Sequence, residues 1–128
     1  RASSLRKGFW EALNNQGLVL FEQGNKKAAI SRWREVLKIK PDAAEPTLAL
    51  AASLFANGPE NRSEAIELVG KALDTEPNYV LDSHQKDQLW GPKLRSTTAE
   101  LFKLAELKPV VDRALANASP EGESSDEE

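Results

Sequence analysis

The chain has 128 residues, a net charge of −3 and no cysteine. That length suits one domain with a proper core. The missing cysteines exclude disulfides, thiolate zinc sites and cysteine nucleophiles, and fit a reducing or redox-neutral compartment. No apolar run reaches the ~18 residues of a membrane span, and no secretory leader pattern is visible. The chain starts at Arg1 and contains no Met, as expected of a processed form or a piece of a longer protein.

Charge is unevenly spread. Residues 1–40 hold nine Lys and Arg against three Asp and Glu, a balance of +6. Residues 41–128 hold eight against seventeen, a balance of −9. Such asymmetry marks either separate partner surfaces or solvated helix faces with an acidic tail.

Residues 1–8 are basic and polar and read as a linker or a frayed helix start, with Ser3 or Ser4 as possible caps. From Phe9 to Gln23, Phe9, Leu13, Leu20 and Phe21 recur at helical spacing. Gly17 sits inside that helix, where it costs ~1 kcal/mol relative to Ala, a cost tolerated where another helix must come close. Gly24 suits the residue just past the helix end and Asn25 can cap the next one. The second helix runs over Lys26–Ile39 on a stripe of Ala29, Ile30, Trp33, Val36 and Leu37. Pro41 forbids its continuation and pushes Lys40 out of helical geometry.

Asp42 can cap a third helix, with Pro46 in its first turn. The segment LALAASLFANG is apolar nearly all round, as in a helix enclosed on several sides. Gly58-Pro59 ends it. Asn61 or Ser63 opens a fourth helix, with Ala65, Ile66, Val69, Ala72 and Leu73 inward, and Pro77 terminates that one. A short helix over Tyr79–Trp90, a break at Gly91-Pro92, an amphipathic helix over Lys93–Glu106 and a last helix opened by Pro109 follow. That last helix is expected to turn Val110, Val111, Ala114 and Leu115 inward. Trp90 before Gly-Pro reads as a fixed corner packed over the second helix pair. Residues 9–117 therefore form one helical domain. The tail 118–128, ASPEGESSDEE, has nothing large enough to anchor it and reads as disordered.

Pro41 and Pro77 close two successive helix pairs, and Gly24 and Gly58 lie 34 residues apart. This helix–turn–helix period resembles the tetratricopeptide repeat, with its W-x2-L-G-x2-Y, A-x3-F and P pattern. In the first copy Leu13, Gln16, Gly17 and Leu20 take the opening block, Ala29 and Trp33 the second, and Pro41 the last place. In the second copy these are Thr47, Leu50, Ala51 and Leu54, then Ala65 and Val69, then Pro77. A third copy is degenerate. The small residues let paired helices approach and the large ones fill the space between pairs. The fold class is all-α, a helical repeat solenoid of two clear repeats, a degenerate third pair and a C-terminal capping helix.

The resemblance implies a protein–protein interaction module, a scaffold or adaptor, with a concave groove lined by the first helix of each pair. Its groove positions here are Glu11, Asn14, Leu18, Phe21 and Glu22, then Glu45, Leu48, Ala52 and Phe55. Their apolar share fits an apolar or amphipathic partner segment, unless residues 80–117 fold back over them. A relative of this fold grips acidic chaperone tails with a Lys/Asn clamp. The clamp places hold Asn14, Leu18 and Ala49, so that mode is not expected. Leu89–Leu94 also resembles the ending of repeat proteins from cyanobacteria and chloroplasts, some of which assemble photosynthetic membrane complexes. That implies, as an alternative, a cytoplasmic or thylakoid-associated assembly factor with a tether upstream. A regulatory or structural domain packing within a larger protein is the other alternative.

Lys26, Lys27, Arg34 and Lys38 form a possible basic surface. No aromatic interleaves with them, which disfavours nucleic acid. His84 is the only histidine and reads as a solvated surface residue, since Asp82 and Asp87 do not join it on one face. No nucleophile motif or phosphate loop occurs. The sequence reads as a non-enzyme without metal or cofactor. Ser124 and Ser125, ahead of three acidic residues, resemble acidophilic-kinase substrates or serve only solubility.

Overall fold

The computed structural model describes residues 2–119, with side chains from residue 8 onward. Seven α-helices follow in order among these residues: α1 (Ala2–Glu22), α2 (Lys26–Ile39), α3 (Ala44–Asn57), α4 (Arg62–Thr75), α5 (Asp82–Asp87), α6 (Pro92–Phe102) and α7 (Lys108–Asn117). Short 3-10 turns occupy Pro59–Asn61, Pro77–Val80 and Ala105–Leu107, and no strand occurs among the described residues. Helices α1 and α2 pair, α3 and α4 pair, and α3 packs on α2. The result is an all-α helical repeat solenoid. The tail from Pro120 onward, with Ser124 and Ser125, lies outside the described residues.

The α1–α2 turn is made by glycine. Gly24 has φ +88°, a left-handed conformation that costs other residues strain. Its N–H donates to Phe21 O at 2.9 Å and the Asn25 N–H donates to Leu20 O at 2.9 Å, which satisfies carbonyls the helix end leaves open. Pro41 stops α2 as expected, with Lys40 at φ −136°. Two expected caps do not form. Asn25 makes no side-chain cap bond, and Ala43 rather than Asp42 precedes α3. Asp42 pairs instead with Lys40 at 3.0 Å, because the Pro41-Asp42 turn delays the helix by one residue.

Helix α3 is the axis of the packing. Every residue from Pro46 to Leu54 is buried, as its all-round apolar character requires. Its two buried hydroxyls donate back along the helix, Thr47 to Ala43 O at 2.7 Å and Ser53 to Ala49 O at 3.0 Å. Neither is left unsatisfied, so neither carries the cost of an orphaned buried group.

Between α1 and α2 the close approach falls at Gly17. Trp33 is fully buried, and its indole Nε1 donates to Asn14 Oδ1 at 3.0 Å. That bond fixes the ring across the α1 backbone. A Cβ on Gly17 would lie 2.6 Å from Trp33 Cε2. The buried face of α1 is therefore Leu13, Asn14, Gly17, Leu18 and Phe21, not the expected stripe containing Phe9 and Leu20. Phe9 is 60 % exposed, since among the described residues no helix packs on that side of α1.

The C-terminal part departs further from repeat geometry. The expected helix over Tyr79–Trp90 splits into a 3-10 turn and the six-residue α5. A corner follows at Leu89, which takes φ +71° in a place where glycine is usual. On α7, Ala114 is buried while Leu115 is 51 % exposed, so Leu115 does not turn inward. Helix α7 meets α4 and the Pro77–Val80 turn through the face that carries Ala114.

The Gly17–Trp33 contact sets opposing terms against each other. Gly17→Ala gains ~1 kcal/mol of helix propensity and loses about 1–3 kcal/mol to overpacking against an indole that cannot turn away. Urea denaturation is expected to show net destabilisation, and the loss should shrink in a Trp33→Leu background.

Candidate functional site

The two helices expected to line a groove, α1 and α3, both face α6. Helix α6 packs against both, with Leu94 and Leu101 fully buried. Two carboxylates bind the C-terminal elements there. Glu22, in the last turn of α1, accepts the backbone N–H of Lys93 at 3.1 Å and of Leu94 at 2.9 Å. It thus serves the open donors at the start of α6, where a negative charge also suits the helix dipole. Glu22 sits so close that a Cβ on Gly91 would lie 2.3 Å from its Cδ. Only glycine fits ahead of Pro92 in this arrangement.

Glu45, in the first turn of α3, is the second carboxylate. It accepts Trp90 Nε1 at 3.1 Å and, at a longer 3.5 Å, the Tyr79 hydroxyl. Asn14 bonds it as well. Burial pushes the Glu45 carboxyl above the usual carboxylate range, while the bonds from Asn14, Trp90 and Tyr79 and the nearby His84 pull it back. Trp33, Asn14, Glu45 and Trp90 thus form a chain of polar contacts through α2, α1, α3 and the corner before α6. The corner itself is tied by Gln85 Nε2 donating to Tyr79 O at 2.8 Å and by Arg95 donating to Trp90 O at 3.2 Å.

The sequence-derived groove positions distribute as follows. Asn14, Leu18, Phe21, Leu48 and Ala52 are buried, with Leu48 and Ala52 at 0 % exposure. Glu22, Glu45 and Phe55 are part-buried and Glu11 is exposed. The structure brings Asn14 and Glu45 together and sets Glu22 under the start of α6. Glu11 joins neither group. The chain's own α6 fills the middle of this side, as the folding-back of residues 80–117 would require. Trp90 is 2 % exposed and packs over the second helix pair, as its place in the sequence suggested. Its bond to Glu45, and the roles of Tyr79 and Gly91, had no signal in spacing, because all of them depend on how the last third of the chain returns.

An open cleft of about 430 Å3 remains beside α6. Phe21, Gly24 and Lys26 bound it on the first helix pair, Ala56 at the end of α3, and Pro92, Lys93, Ser96 and Thr97 on α6.

The family comparison now has its structural frame. Residues 10–43, which are most of α1, α2 and the turn after it, match the family model described as the tetratricopeptide repeat. That stretch of the chain is similar to a tetratricopeptide repeat. Such repeats are protein–protein interaction modules. Helices α3 and α4 form the next helix pair of the same stack, with the small Ala51 and Ala65 and the larger Leu54 and Val69 all buried. No curated protein matches the chain.

The basic surface on the second helix of the repeat is divided. Arg34 donates two bonds to Glu64 on α4, at 3.0 and 3.1 Å. That pairing holds the Glu64 carboxyl below its usual range and raises Arg34. Both side chains are over two-fifths exposed, so the pair is worth no more than ~1 kcal/mol. Lys26 borders the cleft, while Lys27 and Lys38 are exposed. His84 is not a solvated surface residue: it is 8 % exposed and meets the Tyr79 ring edge-on at 4.5 Å. Burial follows from the corner, which turns α5 in toward Tyr79. Among the described residues no cluster of His, Asp and Glu has the geometry to hold a metal ion, and no helix is long and apolar enough to cross a membrane.

Trp90 donates more strongly to the ionised form of Glu45, which is why this bond pulls the carboxyl back against the upward push of burial. The bond is strongest where Glu45 is ionised and weakens as pH falls and Glu45 takes up a proton, although burial raises Glu45 overall, so that protonation itself relieves a cost in the folded state. Trp90→Phe is expected to cost about 1–3 kcal/mol at neutral pH, since it leaves a half-buried carboxylate short of a donor. Denaturant midpoints measured down to pH ~4.5 should show that penalty shrinking.

Proposed function

We propose that this tetratricopeptide-repeat chain is a scaffold or adaptor that grips a segment of another protein in the cleft beside α6. The observation that carries this reading is the cleft's place. It lies between the first helix pair, the end of α3 and α6, next to the groove position Phe21 that the resemblance implies. Phe21 and Ala56 offer apolar surface, Ser96 and Thr97 offer hydroxyls, and Lys26 and Lys93 stand at its borders. A short extended segment with a small apolar side chain and a neighbouring carboxylate suits such a lining. Leu48 and Ala52 contribute indirectly, by fixing α6 as one wall.

Of the expected groove positions, Phe21 borders the cleft, Phe55 lies beside Ala56 at the end of α3, and Glu22 adjoins it through its bonds to the start of α6. The apolar interior positions are core, so substituting Leu48 would test folding rather than binding.

A photo-crosslinking residue at Thr97 is expected to trap a specific protein. Ala56→Trp, which fills the cleft, should reduce capture at least about tenfold, as blocking a partner's central contact does. Lys26→Glu with Lys93→Glu should reduce it further. Unchanged capture by a variant with wild-type circular dichroism and thermal midpoint would refute the cleft as the binding site.

A further inference from the structure

The cleft beside α6 holds polar groups that the chain itself does not use. Lys93, Ser96 and Thr97 stand at i, i+3 and i+4 on α6, so they share one helix face. Lys26, at the start of α2, borders the same cleft. Elsewhere Thr47, Ser53, Thr75 and Thr98 donate their hydroxyls to the carbonyl one turn back. Ser96 and Thr97 make no such bond among the described residues, which leaves both hydroxyls for solvent or a ligand. Lys26 and Lys93 likewise pair with no described carboxylate, whereas Arg34, Arg62 and Arg95 each do.

The charge of the lining is one-sided. No Asp or Glu lines the cleft. Glu22, which follows Phe21 of the lining, is turned to the Lys93 and Leu94 N–H groups. The chain as a whole carries −3, so its net charge does not gather anions, and attraction for one comes from this local set. The set also distinguishes between anions. A carboxylate presents two oxygens in one plane and a single charge. A phosphoryl group presents three oxygens and about two charges at neutral pH, enough to accept from two walls of a cleft.

We propose, resting on the adaptor reading of this cleft, that the segment it takes carries a phosphorylated serine or threonine. Lys93, Ser96 and Thr97 donate to the phosphoryl oxygens from the α6 wall, and Lys26 donates from the first helix pair. Phe21 and Ala56 take the apolar side chain beside the phosphorylated one. Bonds to a charged acceptor are the stronger kind, but this cleft is open to water, which weakens them. The phosphoryl group alone therefore binds in the millimolar range, and the rest of the segment supplies the remaining affinity.

A titration followed by NMR on the isotope-labelled full chain tests the chemistry. N-acetyl-phosphoserine amide is added to about 50 mM at constant ionic strength, a range that covers millimolar binding, with N-acetyl-glutamate amide in parallel. Saturable shifts are expected at the amides around Lys26 and from Lys93 to Thr97, with phosphoserine at least about threefold tighter than glutamate. Lys93→Gln, and Ser96→Ala with Thr97→Ala, should each weaken phosphoserine about three- to tenfold. Lys71→Gln, exposed on α4, should leave it unchanged. Shifts spread evenly over the exposed lysines overturn the proposal, as does phosphoserine that binds no tighter than glutamate. A photo-crosslinker at Gln23, exposed beside Gly24 and outside the proposed set, separates this proposal from the adaptor reading. Phosphatase treatment of the partner preparation should lower capture at least about tenfold. Capture that phosphatase leaves unchanged overturns the phosphorylated segment while the adaptor reading stands. Saturable phosphoserine binding with no protein captured overturns both, since the site then serves a free phosphate.

Discussion

A carboxylate placed between two helix pairs governs how this molecule closes. Glu45 stands at the start of α3, where α1, the corner before α6 and the Pro77–Val80 turn converge. Burial alone would make it a liability, because a charge removed from water must be repaid by bonds. Asn14, Trp90 and Tyr79 supply them, and each comes from a different part of the chain. Asn14 is in turn fixed by Trp33. Satisfying one carboxylate therefore couples the spacing inside the first repeat to the position of the last third of the chain.

Glu22 works on the same side by a different physical means. It answers the unmet backbone donors of a helix start rather than an indole. Together the two carboxylates seat α6 where a repeat of this kind ordinarily leaves a concave surface. Asn14, Leu18, Phe21, Leu48 and Ala52, which the resemblance would turn toward a groove, are thus core residues of the chain itself. What stays open beside α6 is a small cleft of mixed character, with lysines at its border.

Much of this was legible from residues alone. Gly24, Pro41, Gly58 and Pro77 punctuate the chain by backbone sterics, so α2 and α4 lie close to where spacing put them. The enclosure of α3 was visible in a segment apolar all round. Gly17 opposite Trp33 could be read as a close approach, because a glycine inside a helix needs a reason. The errors share one cause. Phe9, Leu115 and His84 were judged by the periodicity or polarity of their own segments. Their exposure depends on which helix lies next to them.

The sequence by itself determined the bounds of α2 and α4, the pairing of α1 with α2 and of α3 with α4, and the repeat that residues 10–43 resemble. Those features rest on local sterics and on contacts within one period, which spacing encodes directly. Only the tertiary structure decided that α6 returns to lie against α1 and α3 and that Glu22 and Glu45 receive it and the corner before it. Those outcomes join residues some 45 to 72 positions apart. At that separation no periodicity links the partners, and the choice falls to packing and to the need to satisfy a buried charge.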